Sequence, residues 1–160
     1  MDVSLREFVE TGRFGRVCLG MSKAWVESIL GAPDDTGGTS RKHREPAIWR
    51  YGDVEFHFDV RDGGLWLIHL DDFDLPSGGK SIALDPWIIR GSLTLAEAEE
   101  RLTLDGVAYE VADCEDDKLL TTWAGVKLLF SGGGTLLRAV SFSGRPAAEA
   151  PLATRHKHFH

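Results

Sequence analysis

Apolar residues recur along this chain with two different periods, and the switch between them marks its elements. Leu5, Phe8 and Val9 share one side of a helix predicted over 4–11, which Gly12 ends. Val26, Ile29 and Leu30 follow the i, i+3, i+4 spacing behind Ser22, and Leu95, Ala98 and Leu102 do so behind Thr94, which predicts helices over 23–30 and 95–104. Thr94-Leu95-Ala96-Glu97 is a capping box, in which hydroxyl and carboxylate each satisfy a free backbone donor. Gly31 with Pro33 stops the first of this pair, and Asp105-Gly106 stops the second. Between the helices the period drops to two. Val54, Phe56, Phe58 and Val60 alternate with Asp53, Glu55, His57 and Asp59, so one face of a strand is core and the other is wet. Trp66, Ile68 and Leu70 carry the core face onto the next strand, across a turn at Arg61-Asp62-Gly63-Gly64. Val126, Leu128 and Phe130, then Arg138, Val140 and Phe142, do the same around Gly132-Gly133-Gly134, while 47–51, 107–111 and 118–123 read as further strands.

The same order of elements occurs twice. At an offset of 72 residues Ser22 falls on Thr94, Val26 on Ala98, Leu30 on Leu102, Phe56 on Leu128, Phe58 on Phe130, Ile68 on Val140 and Leu70 on Phe142, each pair keeping its chemical character. The expectation is an α+β chain of two tandem helix-plus-antiparallel-sheet repeats, about 17–72 and 89–144, with a concave sheet face. They form one domain over 1–146, because either copy alone buries too little apolar surface to stand. Residues 71–85 read as the connector between copies and 147–160 as a flexible tail.

Gly20-Met21-Ser22 and Leu30-Gly31-Ala32-Pro33 give the first copy a resemblance to the outer-membrane-assembly lipoproteins of the SmpA/OmlA type, and the tandem arrangement resembles that of the β-lactamase inhibitor proteins. The second copy keeps Leu93-Thr94 but has Leu102-Thr103-Leu104-Asp105 where the Leu-Gly-x-Pro element would stand. The resemblance implies a scaffold that grips another protein with the sheet face, and an assembly role is a further expectation from it.

Charge narrows the partner. The formal net charge is -7, and lysine and arginine are dispersed except at Arg41-Lys42-His43-Arg44, which reads as a solvated loop. This disfavours nucleic acid and anionic membranes and favours a basic protein. Size and acidity are also those of bacterial immunity proteins. The first residues, Met1-Asp2-Val3-Ser4-Leu5-Arg6-Glu7, do not read as a signal peptide, and no apolar run reaches the length of a bilayer span, so the expected location is cytoplasmic. Cys18 and Cys114 read as buried free thiols, with one disulfide as the alternative.

Candidate chemistry is sparse. No HExxH, Walker, dinucleotide or nucleophile motif is present, so the expectation is a protein that is not an enzyme and uses no cofactor. The wet face of the first sheet supplies the expected partner-binding residues Glu55, His57, Asp59, His69 and Asp71, with Leu67 and Leu129 adding apolar area and Trp87 as an aromatic anchor. Trp49, Trp66 and Trp123 read as core. Two registers preserve the buried face. One sets His57 opposite His69, about 5 Å apart at Cβ, which could share a metal with Asp71 or Glu55 and support a metal-dependent hydrolase; the other sets Glu55 opposite His69 as an ordinary cross-strand pair. The acids at 34–35, 71–74 and 115–117 read as solvated loops, and Gly132-Gly133-Gly134 as a turn.

Overall fold

A computed structural model describes residues 1–74 and 76–144, and the backbone of 155–158. The chain is α+β. Its order is β1 (Asp2–Ser4), α1 (Leu5–Thr11), α2 (Lys23–Leu30), β2 (Asp35–Gly37), β3 (Ile48–Tyr51), β4 (Val54–Phe58), β5 (Leu65–Leu70), β6 (Ala83–Asp85), α3 (Leu95–Leu104), β7 (Tyr109–Cys114), β8 (Asp117–Thr122), β9 (Lys127–Ser131), β10 (Leu136–Ser143) and β11 (Arg155–His158).

The helices form where the spacing places them because each is capped at its start. Ser4, Ser22 and Thr94 accept from the backbone N–H of Glu7, Trp25 and Glu97, each relieving one unpaired donor of the first turn. Gly12 ends α1 in the left-handed conformation, at φ 78°. Arg6 reaches Asp105 at 3.1 Å, tying α1 to the end of α3.

One large sheet has the order β11-β7-β8-β9-β10-β5-β4-β3-β2, and every pairing in it is antiparallel. Both sets of consecutive strands meet at its middle, where β10 lies against β5 with Ser141 opposite His69. The inward residues Val54, Phe56, Phe58, Ile68, Leu70, Leu128, Phe130 and Val140 join Leu5, Phe8, Val9, Val26, Leu30, Ala98 and Leu102 of the helices in a single apolar cluster. The three helices among the described residues therefore cover the same face of the sheet. Thr122, a buried polar residue of this core, donates its hydroxyl to the Val9 carbonyl at 2.9 Å.

Several contacts recur at positions 72 apart. The Leu65 N–H donates to Met21 O at 2.8 Å, and the Leu137 N–H to Leu93 O at 2.9 Å. A bulge interrupts β5 against β4 at Trp66 and β10 against β9 at Arg138. These bulges correct the expected register of the core face. Leu65 and Leu137 take the buried positions, while Trp66 and Arg138 are displaced from them.

Other expectations change as well. Val60 lies past the end of β4 and is 52% exposed; Trp123 follows β8 at a turn and is 81% exposed, so neither belongs to the core. Cys18 and Cys114 are free, as expected, but exposed: one lies in a turn after Val17, the other at the last position of β7 beside a hairpin tip. The connector is partly ordered into structure, since β6 pairs in parallel with β1 as a separate two-stranded sheet. Gly52 and Gly79 meet there so closely that a Cβ on Gly52 would stand 2.3 Å from the Gly79 nitrogen. The tail expected over 147–160 lies outside the described residues apart from Arg155–His158, whose backbone pairs with β7.

Candidate functional site

The face of the sheet opposite the helices is lined by the alternate residues of each strand. Across its middle run Ile48 and Arg50 of β3, Glu55 and His57 of β4, Leu67 and His69 of β5, Ala139, Ser141 and Ser143 of β10, Lys127 and Leu129 of β9, and Leu119 of β8. Most are half-buried, as side chains are on a sheet face that no described helix covers. Glu55, His57, Leu67, His69 and Leu129 from the expected set are thus brought onto one surface. Asp71 follows β5 at its rim and is more exposed.

The register settles which groups meet. Glu55 pairs directly with His69, and His57 with Leu67, so the two imidazoles are diagonal neighbours with ring centroids 6.4 Å apart. His69 Nε2 is 3.6 Å from Asp71 Oδ2. Glu55 is flanked on both oxygens: Arg50 Nε lies 3.3 Å from Oε1, and His57 Nε2 lies 3.7 Å from Oε2. The second distance is too long for a hydrogen bond, and the shielded His57 Nε2 has no hydrogen-bond partner among the described residues. Trp66, displaced by the bulge, sets its ring edge-on to His57 at 6.0 Å.

Burial pushes the His57 imidazole below its ordinary pKa, against the upward pull of Glu55, and His69 adds a small push downward. The unfolded chain therefore takes up this proton first as the pH falls. Stability is lost on acidification from about the unfolded value of 6.5 down through the folded one. We expect His57→Gln to flatten the stability curve between pH 7 and pH 5 in urea titrations; a slope equal to that of the parent chain contradicts this assignment.

Two expected contacts lie elsewhere. Asp59 closes the β4–β5 turn, accepting from the Arg61 N–H at 2.7 Å, with its side chain largely buried. Trp87, at φ 53°, is half-buried and packs against the core, so it does not stand out as an anchor. The exposed tryptophans are Trp25, on α2, and Trp123, which follows β8 and lines a depression with Glu10 of α1 and Val107. Trp66 and Arg50 were missed as site residues. For Arg50 the signal is present, a polar position between the inward-facing Trp49 and Tyr51; for Trp66 it is absent, because a bulge leaves no mark in the alternation.

The face is mixed in charge, with Arg50 and Lys127 beside Glu55 and Asp71. An open depression of about 560 Å³ lies between His69, Asp71, Leu129 and Arg138. Among the described residues no helix is long and apolar enough to cross a membrane. Comparison of this chain with family models, curated proteins and solved structures gives no match.

Proposed function

We propose that the chain is a non-enzymatic protein-binding module made of two tandem copies of one helix-plus-four-strand unit, and that it neutralises a basic partner through the open face of its sheet. The observation that carries this reading is the one-sided sheet: every described helix packs on one face, and the other presents half-buried Leu67, Leu129, Ile48 and Leu119 among polar groups. Such a surface combines apolar area with a polar surround, as docking faces do.

The duplication is supported by the equivalences 72 residues apart in the caps, the bulges and the helix-to-strand hydrogen bonds. His69 and Ser141 are themselves equated by that offset and stand opposite each other, so a local two-fold axis would pass between them. Joining the last strand of each copy extends one sheet and doubles its open face, and the twist of so many strands curves it into a concave floor. This is the arrangement that the resemblance to β-lactamase inhibitor proteins implies. Immunity protein or inhibitor in a bacterial cytoplasm is the biological form of the proposal.

Attraction for a basic partner comes from the net charge of -7 and from Asp71, Asp72 and Asp74 at the rim, since the floor itself is mixed. A metal-dependent hydrolase on the same surface gains support from the carboxylates beside His69, but the depression there is open, which suits docking better than enclosing a small substrate. We expect Glu55→Lys with Asp71→Lys to weaken capture of a basic partner from native-host lysate, and to reduce its salt dependence, with the fold retained by circular dichroism. Equal capture by parent and variant at low and high salt refutes the electrostatic part of the proposal.

A further inference from the structure

We infer that Glu55, His69 and Asp71 form a binding site for a divalent transition-metal ion, Zn2+ in the first instance, where β4 and β5 reach the rim of the open sheet face. The inference concerns the free chain and holds whether or not that face docks a protein.

Three placements converge on it. Glu55 and His69 are a directly opposed cross-strand pair, and Asp71, two residues beyond His69, sets its Oδ2 3.6 Å from His69 Nε2. One ligand atom from each of the three lies within 4.8 Å of the others. Tetrahedral coordination with metal–ligand distances near 2.1 Å sets such atoms roughly 3.4 Å apart, so closure needs side-chain rotations and no movement of the strands. Asp71, with a side chain 55% exposed, is free to make most of that adjustment.

The donors also select the ion. One imidazole with two carboxylates suits Zn2+ and its first-row neighbours, whereas Mg2+ and Ca2+ take oxygen ligands throughout. Three protein ligands leave a coordination position on the solvent side for water or for a group of another molecule. The competing cation is Arg50, whose Nε lies 3.3 Å from Glu55 Oε1, but its side chain is about half exposed and screened by solvent, so it can swing aside. His57 Nε2 lies 3.7 Å from the other oxygen, Oε2, beyond hydrogen-bond reach, so it does not hold that oxygen. Lys127, which pairs with Ser141 across β10, is the next cation on this face.

The test is a calorimetric titration of ZnCl2 into the full chain carrying His156→Gln, His158→Gln and His160→Gln, which removes the alternating histidines at the C-terminus as competing ligands. One ion per chain is expected, with MgCl2 giving no binding. Glu55→Gln and Asp71→Asn should each weaken Zn2+ binding about tenfold or more while the melting temperature without metal is retained. Nitrogen-15 spectra of the histidine side chains should show the His69 ring moving on addition of ZnCl2 while that of His43 stays in place. Absence of stoichiometric Zn2+ binding, affinity unchanged in both variants, or an unmoved His69 ring overturns the assignment.

Discussion

Replacing Phe56 with alanine lowers the unfolding free energy by about 3–5 kcal/mol, and Leu128→Ala lowers it by about 2–5 kcal/mol. Both side chains are buried in the same apolar cluster, on strands β4 and β9 that lie on opposite sides of the central pair. Phe56 also meets Phe14 edge-on at 5.7 Å and Tyr51 at 5.4 Å, contacts that alanine forfeits along with the apolar area. A domain of this kind is stable by only about 5–15 kcal/mol, so either loss is a large share of the total. Because the cluster is continuous across the seam, each variant should shift one shared transition, followed equally by tryptophan fluorescence and circular dichroism in guanidinium. Two separable transitions, with each substitution affecting one of them, contradict a single core.

Tyr51 makes stability fall at alkaline pH. Its side chain is fully buried and its hydroxyl donates to the Gly31 carbonyl at 2.8 Å, at the end of α2. Burial, with the Glu27 and Asp34 carboxylates adding to it, pushes the phenol up to about 12 from the ordinary 10. The folded chain thus holds the proton that the unfolded chain releases. Stability is fully present below pH 10 and is lost as the pH rises through 12, a loss on the order of 3 kcal/mol. Tyr51→Phe forgoes the hydrogen bond, at about 0.5–1.5 kcal/mol near pH 7, but escapes the alkaline loss. The guanidinium midpoints of parent and variant should therefore cross between pH 10 and pH 12; parallel curves count against the assignment.

The helices were legible because their signals are local. Ser22 and Thr94 at the starts, Gly31 and Gly106 after the ends, and apolar residues three and four apart place α2 and α3 at the same limits in sequence and structure. The short strands were not: β1, β2 and β6 have three residues each, too few to show a period, and β1 and β6 are held by each other across the length of the first half. Register was legible to within one choice. Alternation restricts His69 to even shifts against β4, and the bulge at Trp66, which only the packed sheet reveals, accompanies the shift that faces it with Glu55. Tryptophan burial was least legible, since hydrophobicity is common to all five while position within the strand decides: Trp49 points inward from the middle of β3, and Trp123 stands one residue beyond β8.

The proposed working surface is the sheet face opposite the described helices. It is tested most directly by quantifying partner capture from native-host lysate with two double variants of equal thermal stability. One carries Leu67→Lys and Leu129→Lys on the open face; the other carries Trp25→Ala and Glu100→Lys on the helical side. The first variant is expected to lose the partner and the second to retain it. Retention by the open-face variant together with loss by the helical-side variant contradicts this proposal.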